Sequence, residues 1–93
     1  MKYVKKPVVI EAITFNELIQ YGKENGGNIV EGMPWSFKIN GYPITHCSNE
    51  KYLITTLEGD HYMTPNDMLI IGIKGEIYPC KIDIFEMTYE KVE

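Results

Sequence analysis

Through much of this chain apolar and polar residues alternate with a period of two, and turn-forming residues separate the alternating runs at short intervals. From Tyr3 to Phe15 the pattern is β-branched (Val4, Val8, Val9, Ile10, Ile13, Thr14). It predicts a strand interrupted or begun at Pro7, since proline cannot donate to a sheet ladder. Asn16 is placed to cap a helix with Glu17 in its first turn. Leu18, Ile19 and Tyr21 give that helix an apolar side, and Asn25-Gly26-Gly27 ends it, so one helix is expected near residues 16–25. Gly32, Pro34, Gly41 and Pro43 break the stretch from Asn28 to Asn49 into short pieces. Within it Ser36–Asn40 alternates like a short strand, and Trp35 and Tyr42 sit beside breakers. This middle reads as loop-rich, the kind of region where binding residues gather on a rigid scaffold.

The last third is the most regular. Lys51–Leu57 predicts a strand, Glu58-Gly59-Asp60 a hairpin turn, His61–Met63 the return strand, and Thr64-Pro65-Asn66-Asp67 a second turn. Met68–Ile73 is nearly all aliphatic and predicts the most buried strand. Lys74-Gly75 turns into Glu76–Tyr78, which Pro79 is expected to end, and Ile82–Phe85 leads into a short helix or strand running to Tyr89. The fold class expected is α+β. A small curled antiparallel β-sheet or partial barrel of about five or six strands would carry one helix and a short C-terminal element. Residues 1–93 read as a single domain, because a second core would not fit in this length.

Composition changes the picture in three places. The core must be thin, so burial against a second copy would help the chain, and a homo-oligomer is expected. The net charge of −4 is spread along the chain and gives no basic footprint for duplex nucleic acid. All nine basic residues are lysine, so an anion site would have to use point charges, backbone N–H groups or hydroxyls in place of the bidentate arginine fork. The apolar runs are too short to span a membrane or to read as a secretory leader, and Cys47 and Cys80 lie too far apart for a C-x-x-C motif. A cytoplasmic protein with reduced thiols is the expectation.

Candidate chemistry is sparse. The acid pairs Glu58 with Asp60 and Asp67 with Glu76 could divide acid and base roles, but they occupy turn positions where carboxylates serve backbone geometry. His46, Cys47, His61 and Cys80 are zinc-type ligands without zinc-type spacing, so no metal and no cofactor is expected. No phosphate loop or nucleophile elbow occurs, and an enzyme is the weakest reading. What remains is a mixture of lysines and aromatics. Lys5, Lys6, Lys74 and Lys81 with Trp35, Phe37, Tyr42 and Tyr78 are the candidate residues for a small anionic, nucleotide-like ligand.

Both ends of the chain carry a family likeness. Tyr3-Val4-Lys5-Lys6-Pro7-Val8-Val9-Ile10-Glu11-Ala12 opens it. Leu57-Glu58-Gly59-Asp60, Lys74-Gly75-Glu76-Ile77-Tyr78-Pro79-Cys80-Lys81 and Asp83-Ile84-Phe85-Glu86-Met87-Thr88-Tyr89-Glu90 close it. These stretches resemble a family of small phage and prophage proteins with the same opening and closing motifs. The likeness covers roughly half the residues and skips the middle. Asn66 stands where that family has the glycine of a Pro-Gly-Asp-Tyr turn, and Met68 where it has the tyrosine. Asparagine tolerates the left-handed conformation, so the turn survives. The resemblance implies a viral accessory protein in the host cytoplasm and no particular reaction. The expected function is therefore non-enzymatic: countering host defence by binding and sequestering a small anionic signal. The alternatives are a protein–protein inhibitor of a host defence enzyme, anchored around Trp35, or a virion or packaging accessory.

Overall fold

A computed structural model describes residues 1–4 and 6–92 of the chain. Among them are nine strands and two helices: β1 (Glu11–Ile13), α1 (Phe15–Glu24), β2 (Ile29–Val30), β3 (Met33–Pro34), β4 (Ser36–Ile39), β5 (Tyr42–Ser48), β6 (Lys51–Thr56), β7 (Gly59–Met63), β8 (Asp67–Ile71), β9 (Ile77–Lys81) and α2 (Ile82–Thr88). The strands form three antiparallel sheets. One is the four-stranded meander β4-β5-β6-β7, one has the order β1-β8-β9, and the third is the hairpin β2-β3. The class is α+β as expected, but the strands are more numerous and shorter, and none of the sheets closes into a barrel.

The helix starts earlier than its sequence suggested. Thr14, not Asn16, is its cap. The Thr14 hydroxyl accepts the Glu17 N–H at 3.1 Å, and the Glu17 carboxylate accepts the Thr14 N–H at 2.9 Å. This reciprocal pair satisfies two donors at once, which a cap at Asn16 would not. Starting two residues sooner also brings Phe15 into the core beside Leu18. At the other end the Asn25 N–H and side-chain amide both donate to Tyr21 O, and the Gly27 N–H donates to Gly22 O, so the helix stops where predicted.

The first strand is much shorter than Tyr3–Phe15. Glu11 pairs with Ile71, the last residue of β8, and the chain turns away at Gly72. The described residues before Glu11 therefore have no ladder partner, whatever their alternation. Pro79 does not end β9 but lies inside it, opposite Leu69. It is tolerated because β9 is an outer strand, where a missing N–H can face away from the ladder. The middle is not loop-rich. Of its breakers, Pro34 and Pro43 lie within β3 and β5. The glycine breakers are hairpin turns: Glu31-Gly32 joins β2 to β3 and Asn40-Gly41 joins β4 to β5, each pair with φ positive at both positions (51° and 83°; 51° and 84°). That is the mirror-image turn whose twist matches the flanking strands.

One hydrophobic cluster joins α1 to both larger sheets: Phe15 and Leu18, then Phe37 and Ile39, Ile44, Tyr52 and Ile54, Met63, Leu69 and Ile77. Helix α1 comes very close to the meander at Gly22. A Cβ there would lie 2.6 Å from Phe37 Cε1 and 2.7 Å from Pro34 Cγ.

Two predictions follow from this packing. Gly22→Ala gains up to about 1 kcal/mol of helix propensity but loses roughly 1–3 kcal/mol to overpacking. A net lowering of the urea midpoint is expected, and a raised midpoint would show that α1 can back away from Phe37. The second concerns Tyr52, whose phenol is pushed up to about 12 by burial. Below pH 10 both folded and unfolded states keep the proton, so the contribution of Tyr52 to stability is fully present. Above pH 10 only the unfolded state releases it, and stability falls as pH rises through the folded value, by roughly 2–3 kcal/mol. Urea denaturation between pH 9 and 12 should show this decline (window set by the tyrosine titration). Tyr52→Phe should make it shallower, the raised Tyr78 phenol accounting for a remainder, at a cost of about 1 kcal/mol for its lost hydrogen bond.

Candidate functional site

Trp35 lies between β3 and β4, and its backbone is held on both sides. Its N–H donates to Asn28 O at 2.8 Å, and its carbonyl accepts the His46 N–H at 2.7 Å. The indole stacks on the His46 imidazole, with ring centroids 5.0 Å apart and planes 9° from parallel. His46 in turn meets the buried Tyr52 ring edge-on at 5.5 Å. These side chains form part of a cross-strand row. His46 pairs with Tyr52, Tyr52 pairs with Met63, and the β4–β5 register extended by one pair sets Trp35 opposite His46. Burial falls along the row. Met63 and Tyr52 are fully buried, His46 is half-buried, and Trp35 is 46% exposed. Ile29 and Val30 on the adjoining hairpin are exposed as well. The result is an apolar outcrop of the core around an aromatic whose position is already fixed.

The other residues assigned from sequence are dispersed. Lys5 lies outside the described residues. Lys6 is exposed in the segment before β1 and borders a hollow with Glu86 and Glu90. Phe37 does not face a ligand: it is a core residue, packed edge-on against Tyr52 at 6.1 Å. Tyr42 is partly buried against the same core. Lys74 is exposed on the β8–β9 turn, and the Asn40 side-chain amide donates to Gly75 O at 3.1 Å, which sets the Tyr42 hairpin beside that turn. Tyr78 is half-exposed on β9, its hydroxyl 3.2 Å from that of Tyr89. That hydrogen bond, then burial, pushes its phenol up to about 12. Lys81 caps α2 through its backbone and is exposed. Trp35 belongs with the β4 edge of the meander, whereas Tyr78 and Lys81 belong to β9, which packs beside β6 and β7.

The carboxylates serve the turns. Asp67 accepts both the N–H and the hydroxyl of Thr64, and Glu76 accepts the Lys74 N–H. Cys47 is exposed at the irregularity between β5 and β6, and Cys80 is partly buried on β9. Among the described residues no three His, Cys, Asp or Glu side chains come together as a metal-holding group.

The residue that sequence reasoning undervalued is His46. A usable signal existed. Asn40-Gly41 is a two-residue hairpin signature, and the register it imposes places position 35 opposite position 46. Comparison with protein-family models, with curated proteins and with solved structures finds no match to this chain.

His46 Nε2 is enclosed and, among the described residues, has no hydrogen-bond partner. An enclosed polar atom of this kind carries a desolvation cost, whereas an isosteric apolar ring does not. His46→Phe should therefore keep the stack and leave stability unchanged or raised by up to about 1 kcal/mol. Thermal melting, with tryptophan fluorescence as the reporter of the stack, checks this. A lower melting temperature together with a red-shifted emission would mean that Nε2 holds a partner in solution.

Proposed function

We propose that this chain is a non-enzymatic accessory protein that binds a host protein, using Trp35 as the anchor, in the viral and cytoplasmic setting that its two ends imply by resemblance. The observation that carries this reading is the pre-positioned, half-exposed indole stacked on His46. Interface hot spots are typically rigid aromatics of this type, because little side-chain entropy is lost when a partner covers them. Inhibition of a host defence enzyme is the form of the proposal that fits the viral setting.

Sequestration of a small anionic signal is the second reading. It rests on the same lysines and aromatics, and its support is weaker because they are distributed over several elements, with Phe37 buried and Lys6 beside acidic side chains. To make one anionic pocket, residues from more than one copy would have to converge.

The two readings part in one experiment. The tagged protein is recovered from infected host cells, beside Trp35→Ala, and each sample is analysed for retained proteins and, after denaturation, for released small molecules. The expected outcome is a specific host protein retained by the native chain and weakened at least about tenfold by Trp35→Ala, with circular dichroism showing that the variant stays folded. Undiminished retention by Trp35→Ala would remove the anchor. A released phosphorylated compound with no protein partner would transfer the proposal to sequestration.

A further inference from the structure

The segment before β1 differs in charge from everything after it. Residues 1–10 hold three lysines and no acid, whereas residues 11–93 hold six lysines and all 13 acids, a balance of −7. No described residue of that segment is in a helix or strand. Val8 borders the same hollow as Phe85 and Tyr89, so the base of the segment lies along the α2 end of the molecule. Its tip does not stay there: Tyr3 is 85% and Val4 92% exposed. Two large apolar side chains flanked by lysine are thus carried in water, with no ladder partner for their backbone.

A receptor of complementary chemistry lies between the β6–β7 turn and β9. It is a half-open cleft of about 450 Å³ bordered by Leu57, Glu58, His61, Glu76, Tyr78 and Pro79. Leu57, Tyr78 and Pro79 offer apolar surface, Glu58 and Glu76 offer negative charge, and among the described residues no lysine lines it. Leu57 is itself 77% exposed, so the cleft has an uncovered wall.

We infer that the tip of one copy seats in this cleft of a second copy, Tyr3 and Val4 against Leu57, Tyr78 and Pro79, and Lys2 facing Glu58 and Glu76. The charge split selects the occupant. Two whole copies, each at −4, repel one another, but the basic strip of one and the acidic cleft of the other attract. A reciprocal exchange makes the contact twice and closes the assembly as a two-fold dimer. In the single chain the same tip stands clear of its own cleft, as its exposure shows. The interface does not use Trp35, so it stands apart from the proposed host-protein contact.

Sedimentation of the full chain from micromolar to submillimolar concentration tests the exchange, with circular dichroism confirming that each variant folds. A dimer is expected, weakened by high salt as the screening length shrinks. Tyr3→Ser with Val4→Ser should raise its dissociation constant roughly tenfold or more, a loss of about 1.4 kcal/mol. Glu58→Lys should weaken it too, and combining Glu58→Lys with Lys2→Glu in one chain should restore it, since each reversed tip then meets a reversed cleft. Trp35→Ala should leave it unchanged. A monomer across the whole range, whether its tip is free or folded back on its own cleft, would overturn the inference. So would a dimer indifferent to the tip and to Glu58.

Discussion

The position of Tyr52 ties this small structure together. Its ring stands 5.6 Å from Phe15 of α1, 6.1 Å from Phe37 of β4 and 5.5 Å from His46 of β5, so a single fully buried side chain touches the helix and two neighbouring strands. A phenol at that depth needs an acceptor, because an unpaired buried hydroxyl costs on the order of 1–3 kcal/mol. It donates to Pro34 O at 2.6 Å. That carbonyl belongs to β3, part of a two-stranded hairpin that shares no ladder with the meander. The bond therefore fastens the hairpin to the main sheet. Trp35 follows immediately in the chain, so the same bond fixes where the exposed indole emerges.

The row that runs from Met63 through Tyr52 and His46 to Trp35 explains how a thin core produces a binding surface. A chain of 93 residues has few ways to cover both faces of a sheet. Helix α1 sets Phe15 against Tyr52 and comes so close to Phe37 of β4 at Gly22 that a Cβ there would clash. It leaves the β4 edge only partly covered. Aromatic side chains of this size bury 150–250 Å², so about 100 Å² of the half-exposed indole still meets water. Covering it is worth roughly 2–3 kcal/mol at 25 cal/mol per Å². The fold supplies the orientation in advance, and the proposed partner would supply the missing burial.

What could be read from the sequence was local. The end of α1 at Asn25-Gly26-Gly27, the strand near Ser36–Asn40 and the turns at Thr64–Asp67 and Lys74-Gly75 all depend on neighbouring residues, and each is found close to where its residues place it. Two further local signals were present and outweighed by others. Thr14-x-x-Glu17 is a capping box, and Asn40-Gly41 is a hairpin turn hidden among residues that read as breakers. The alternation Ser36-Phe37-Lys38-Ile39 also puts Phe37 on the face of Ile39, which is the core face, so the burial of Phe37 was legible once the strand was accepted. The end of β1 was not legible. Val8, Val9 and Ile10 have every strand preference, but β8 stops at Ile71, and the length of a partner strand is not written in the strand that seeks it.

The candidate site divides along the same line. Residue type and number suggested an anion pocket, but a pocket depends on convergence, and convergence is a property of the whole fold. Lysines that look abundant in a list are set among other groups in space. Lys6 borders Glu86 and Glu90, Lys74 is two residues from the carboxylate that accepts its N–H, and the Lys51 ammonium sits 4.8 Å from the centre of the Tyr62 ring. A flexible point charge near a carboxylate or a ring has little left to offer a small anion. The planar fork that could have gripped one bidentately is absent, since the chain contains no arginine. Charges spread in this way act over longer range, shaping the encounter of two surfaces more than holding a ligand. Trp35, held by its stack on His46, is then a part of the surface with the rigidity that specific contact requires.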